Sequence, residues 1–337
     1  MSRLRVACIG AGYFAGFHYD SWARMDRVDL VGACDLDPDR AEATGLPAFS
    51  DLAKMLDTTQ PDLLDIILPP HAHADAIDIA ISRRIKTVIC QKPFCQDLVE
   101  ATRMTKAADA AETRLIIHEN FRFQPWYRAL KEALEAGRIG KLLQITFRLR
   151  PGDGQGPHAY LDRQPYFQKM ERFLVHETAV HWLDTFKYLC GPTQEVYADL
   201  RKVNPVIAGE DAGIILMRHA SGVRSVFDGN RCLDHAADNL RRTMGEALVE
   251  GTDGTIRLTG DGALGLRAFG SQEETCLLPP DEWAGFGGDC VHALQSHVVA
   301  GVLDGAPLEN EARDYLRVLQ VEEAVYRSAE TGRKITL

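Results

Sequence analysis

The sequence predicts an α/β fold: a doubly wound parallel sheet, then a second α+β domain on a large, mainly antiparallel open sheet. Three observations carry this expectation. Strand-like and helix-like segments alternate over the first 120 residues. A glycine-rich turn stands between the first strand and the first helix. From about residue 121 the rhythm changes to consecutive strands joined by short turns. The 337 residues are long for one core and suit two domains, 1–120 and 121–337.

In the first domain, apolar runs place strands at 4–9, 28–34, 64–68, 86–90 and 114–118. Helical periodicity falls between them at 15–25, 38–44, 50–57, 74–84 and 96–111, with Ser50 and Asp97 as caps. In the second domain a helix at 125–136 leads to an alternating strand, 142–150, followed by a long loop and a helix. Strands then fall at 195–202, 212–219, 222–231, 245–250, 255–259 and 263–269. Turns such as His219-Ala220-Ser221-Gly222 and Thr252-Asp253-Gly254 make neighbours antiparallel. The tail from Gly287 is helical again, and its amphipathic stretch 309–331 is long enough to pack across the domain boundary.

Composition narrows the function classes. Hydrophobic residues make up 45% and charged residues 26%, the balance of a soluble globular protein. No apolar run approaches the roughly twenty residues of a membrane span. Met1-Ser2-Arg3-Leu4-Arg5 leads straight into a strand without a signal-type segment, so a cytoplasmic location is expected. A formal charge of −10 without clustered cations argues against nucleic acid. The eight cysteines show no CxxC pairing, so neither disulfides nor a zinc cluster is indicated.

The glycine-rich turn is Gly10-Ala11-Gly12-Tyr13-Phe14-Ala15, after the apolar Val6-Ala7-Cys8-Ile9. A strand turning sharply into a helix points unpaired amide hydrogens at a pyrophosphate. Gly10 makes the turn, Gly12 admits the phosphates and Ala15 lets helix meet sheet. Asp35 closes the second strand, where a carboxylate accepts hydrogen bonds from both hydroxyls of an adenine ribose. Asp37 and Asp39 follow before the first cation, Arg40, so a 2′-phosphate is disfavoured and NAD is expected over NADP.

Two further clusters suit hydride transfer. Lys92, in Cys90-Gln91-Lys92-Pro93, ends a strand of the parallel sheet, where ligands gather. Glu177, His181 and Asp184 are spaced i, i+4, i+7 on one helix. His176 and His181 are five apart, the wrong spacing for a zinc pair, so no metal is expected. Oxidising an alcohol requires loss of the hydroxyl proton with departure of hydride. His181 can take that proton near neutral pH, Lys92 can hold the oxygen, and Glu177 can orient the histidine or bind a neighbouring hydroxyl. The loop from Arg148 to Gln168, with Arg150, Arg163 and Tyr166, suits a polyhydroxylated ligand; Arg150 or Arg163 can instead select a carboxylated sugar.

Taken in order, these clusters resemble the glucose-fructose oxidoreductase/inositol dehydrogenase/MocA family of NAD(P)-dependent sugar and cyclitol oxidoreductases. The resemblance runs through Gly10 to Ala15, Pro69-Pro70-His71-Ala72-His73, Lys92-Pro93, His118-Glu119-Asn120-Phe121-Arg122-Phe123-Gln124-Pro125 and Glu177 to Asp184. It implies an N-terminal Rossmann domain and a C-terminal domain whose sheet forms an oligomer interface, hence a homodimer or homotetramer. It implies Lys92 and His181 as catalytic residues. It further implies cofactor contacts from Tyr13, Phe14, Pro69, His71, His73, Gln91 and Asn120, and substrate contacts from Arg122 and Asp184. Gln91 and Glu177 depart from the family's commoner glutamate and aspartate. Two other functions fit the same residues: transient oxidation that assists elimination or glycoside cleavage, and a non-catalytic NAD or sugar sensor.

Overall fold

A computed structural model describes residues 3–337; Met1 and Ser2, the start of the N-terminal segment read above, lie outside the described residues. The chain divides into two compact units. The first takes in residues up to Asn120 together with Val291–Leu319, and the second Phe121–Cys290 with Gln320–Leu337.

The first unit holds a six-stranded parallel sheet of β1 (Leu4–Ile9), β2 (Val28–Cys34), β3 (Ala48–Phe49), β4 (Leu63–Ile66), β5 (Thr87–Gln91) and β6 (Arg114–His118), in the order β3-β2-β1-β4-β5-β6. Its helices are α1 (Ala15–Ala23), α2 (Pro38–Glu42), α3 (Leu52–Thr59), α4 (His73–Ser82) and α5 (Leu98–Ala110). β4 and β5 are buried at every position, as strands covered on both faces must be. Strand order reverses at β1, and Gly10, Asp35, Pro69, Lys92 and Asn120 all follow the carboxyl ends of strands, where doubly wound sheets gather ligands. Two details differ from the sequence reading. Asp51 rather than Ser50 caps α3, its carboxylate accepting from the Lys54 amide at 2.7 Å. β3 is only two residues long, too short for a periodic signal.

The second unit is built on a nine-stranded sheet. Its strands are β7 (Leu142–Leu149), β8 (Thr193–Arg201), β9 (Ala212–His219), β10 (Arg224–Asn230), β11 (Gly245–Gly251), β12 (Gly254–Leu258), β13 (Leu264–Ala268), β14 (Glu274–Leu278) and β15 (Ile335–Thr336). The order is β14-β13-β12-β11-β7-β10-β9-β8-β15, and among the described pairings only β7 with β10 is parallel. Its helices include α6 (Pro125–Glu135) and α7 (Val180–Cys190), the latter preceded by a π-helical turn at Leu174–Ala179. Alternate residues of β7, β9 and β10 face inward, and Trp182 of α7 stacks on Phe147 of β7 with centroids 4.3 Å apart. Emptying a fully buried indole site of this kind costs about 3–5 kcal/mol. α8 (Cys290–Asp304) and α9 (Ala312–Thr331) complete the chain, and α9 contributes residues to both units.

Candidate active site

The glycine turn has the geometry of a phosphate cradle. Gly10 adopts φ +102°, and a Cβ there would sit 2.2 Å from the Ile67 carbonyl oxygen. At Gly12 a Cβ would meet no protein atom within 4 Å, so the backbone borders open space. α1 begins without a side-chain cap and without an acidic residue in its first turn, which leaves its amide hydrogens and partial positive charge for an anion. Tyr13 is exposed and Phe14 half-buried beside this turn.

Asp35 is held against the turn, accepting from the Ala11 amide at 2.7 Å and the Asp37 amide at 2.9 Å. A carboxylate has further lone pairs, so ribose hydroxyls remain within its capacity. Burial first, then Asp35 and Asp51, pushes the neighbouring Cys34 thiol up to about 11 and keeps it protonated. Pro69 and His71 are exposed on the short turn after β4. Asn120, after β6, is buried with its Nδ2 lacking an acceptor among the described residues, an orphaned donor that suits a bound cofactor. Cradle, ribose acceptor and orphaned amide together fit a dinucleotide. Lys92 is half-buried immediately beyond β5.

Two expected cofactor contacts are internal in this unit. His73 is fully buried, with Nε2 2.8 Å from the Leu68 carbonyl and Nδ1 accepting from the Cys95 amide at 3.3 Å. Its ring therefore ties the turn after β4 to the segment after β5. Gln91 is also buried, and its amide meets His18 and His118 rather than the surface.

In the second unit the structure gathers Arg163, Tyr166 and Glu177 around a buried arginine that the sequence reading missed. Arg231, 2% exposed, donates to Asp153 at 2.9 Å, reaches Glu177 at 3.5 Å, and bonds the Thr178 and Tyr160 hydroxyls. Phe173, Tyr160 and Phe167 lie against its guanidinium. Burial alone would lower its pKa, but the nearby Asp153, Tyr160 and Glu177 outweigh that and hold it charged. Arg163 pairs with the same Asp153 at 3.7 Å. Burial, then Glu177, raises the pKa of Tyr166, which places that phenol in the field of this carboxylate. The loop and the π-helical turn are thus joined by one charge cluster. Arg231 directly follows β10, in which buried and half-buried residues alternate.

The remaining candidates in this unit have partners within it. Arg122 and Asp184 form a buried bidentate pair at 2.8 and 2.5 Å. Arg150 is likewise buried, donating to the Asp228 carboxylate at 2.6 Å and its carbonyl at 2.7 Å. Glu177 lies in the π-helical turn that leads into α7. His181, in the first turn of α7, lies flat against Phe121, with centroids 3.7 Å apart and planes 3° from parallel.

Comparison with known proteins fits both halves. The model of the oxidoreductase family with an NAD-binding Rossmann fold matches residues 4–119, and the Gfo/Idh/MocA C-terminal domain matches 127–257. The chain is 33% identical to a D-apiose dehydrogenase of Paraburkholderia graminis, over 100% of this chain and 90% of that protein. It is 28% identical to a D-apiose dehydrogenase of Rhizobium rhizogenes, over 100% and 98%. A solved Agrobacterium radiobacter oxidoreductase, in complex with NAD+, L-tartaric acid and magnesium, superposes with a TM-score of 0.90 at 28% identity, covering 99% of this chain and 98% of that one. The chain belongs to the Gfo/Idh/MocA family and is an NAD-dependent oxidoreductase.

Proposed function

We propose that the protein is a dehydrogenase of an uncharged sugar or cyclitol, with His181 taking the hydroxyl proton and Lys92 holding the hydroxyl oxygen. When bound, NAD supplies the hydride acceptor. Lys92 donates a hydrogen bond to the substrate oxygen and favours its developing negative charge. His181 removes the proton and returns it in the reverse direction. Glu177, oriented by Arg231 and by the Thr178 hydroxyl, accepts from a neighbouring substrate hydroxyl. The observation that carries the substrate class is charge balance. Arg122, Arg150, Arg163 and Arg231 all pair with aspartates or glutamates of their own unit, so a carboxylated substrate would have to break an existing pair. Kinship with two D-apiose dehydrogenases agrees with an uncharged sugar. The test is NAD reduction across matched neutral sugars, inositols and sugar acids. Neutral substrates should lead in kcat/KM, and a sugar acid turned over faster than its neutral parent would overturn the substrate class.

We also propose that the outer face of the nine-stranded sheet covers a second copy of this chain. Tyr197, Leu216, Val226, Thr146 and Leu248 pair in register as one row across β8, β9, β10, β7 and β11, and Tyr197, Leu216 and Leu248 are exposed. Charges of both signs flank the row, Arg218 with Glu195 on one side and Asp228 beside Arg148 on the other. Light scattering should give a dimer or tetramer mass, reduced by Leu216→Glu; a monomeric wild type contradicts the interface.

A further inference from the structure

A buried polar cluster lies under the cofactor turn of the first unit, outside the groups assigned above. Asp65, in the middle of the apolar strand β4, accepts at one oxygen from His18 Nδ1 at 2.7 Å and from Trp22 Nε1 at 2.8 Å, both on α1. Gln295 of α8 brings its Nε2 to 3.2 Å from the same oxygen and from His18 Nδ1. His118 of β6 lies against the His18 ring with centroids 4.2 Å apart and planes tilted by 35°, and Phe14 meets that ring edge-on. Cys8, Tyr19 and Cys90 are further titratable neighbours, each kept protonated first by burial and further by nearby groups that include Asp65. His18, Asp65 and Gln295 are 0% exposed.

Gln91 links this cluster to Lys92, and its amide can face only one way. The Lys92 backbone N–H donates to Gln91 Oε1 at 3.0 Å, so the Gln91 NH2 faces His18 Nε2 at 2.7 Å and His118 Nδ1 at 3.3 Å. An NH2 group only donates, so both ring nitrogens accept. His18 therefore carries its proton on Nδ1, where Asp65 receives it, and is uncharged. One hydrogen-bond chain thus runs from α1, which opens at the phosphate cradle, to the peptide of Lys92.

We propose that Gln91 is a positioning residue for Lys92, its neutral amide fixing the lysine's backbone and the His18 proton on Nδ1. A glutamate in its place would keep an acceptor for the Lys92 N–H but present a second oxygen to His18 Nε2, which would then take a proton. A methionine would remove both functions at similar volume. The kinetic part rests on the reading that Lys92 holds the reacting hydroxyl; the proton assignment does not.

The experiment combines long-range 1H–15N spectra of histidine-labelled protein at pH 7 with steady-state kinetics. Wild type should show a neutral His18 ring protonated at Nδ1, and Gln91→Glu should show both ring nitrogens protonated. Gln91→Met should lower kcat about tenfold while KM for NAD stays within about twofold, and Gln91→Glu should recover most of that loss. A wild-type proton on Nε2, a Gln91→Met variant of wild-type kcat, or a Gln91→Glu variant as impaired as Gln91→Met overturns the proposal. If no sugar is oxidised, the hydroxyl role of Lys92 fails while the wild-type spectrum still decides the proton assignment.

Discussion

The ring of Phe121 lies flat on the imidazole of His181, 3.7 Å between centroids and 3° from parallel, so the imidazole can rotate only by breaking this stack. Aromatic pairs of this kind contribute about 0.5–1.5 kcal/mol beyond their buried area. Phe121→Leu should therefore lower kcat by about two- to tenfold, with substrate KM little changed, while Phe121→Tyr keeps the rate. Equal kcat values for the Phe121→Leu variant and the wild-type enzyme would show that the stack does not set the ring for reaction.

Arg231 holds the loop 153–167 against the π-helical turn that carries Glu177. Removing a buried cation strands the carboxylates that faced it, at a cost of about 3–5 kcal/mol. Arg231→Met should lower the urea midpoint accordingly and speed limited proteolysis within 153–168. Arg231→Lys, which keeps charge but not the planar fork, should fall between. A variant cleaved as slowly as wild type would separate the loop from this cluster.

His73 sets a pH limit on stability. Burial depresses it to about 4, so it stays neutral in the folded protein while an unfolded histidine protonates below about 6.5. The unfolded chain then binds the extra proton, and stability that is complete above about pH 6.5 is lost as pH falls toward 4. The loss from this one residue is about 2 kcal/mol at pH 5 and at most about 3 kcal/mol. His219, also lowered by burial, adds in the same direction. Urea midpoints at pH 7 and pH 5 should converge in His73→Gln relative to wild type; an unchanged pH dependence would refute the assignment.

The first domain was legible because its signals are local. A glycine between strand and helix, an acid after the second strand and a lysine after the fifth are each readable within a few residues. The partners of the charged side chains were not. Arg150 meets Asp228 because β7 inserts parallel to β10, a pairing that no turn in the sequence announces. Sequence shows the charges of Arg122 and Asp184 but not that each neutralises the other. Asp65 had a visible signal, a carboxylate amid Leu63, Leu64, Ile66 and Ile67, yet its donors come from α1 and α8, far away in the chain.

The most direct test is nicotinamide absorbance recorded with purified protein, NAD and the panel of neutral sugars and inositols. The account requires NADH to accumulate with at least one neutral substrate, and both Lys92→Ala and His181→Ala to slow that reaction by about a hundredfold or more. Oxidation that proceeds at the wild-type rate in both variants, or no NADH from any neutral substrate, would contradict it.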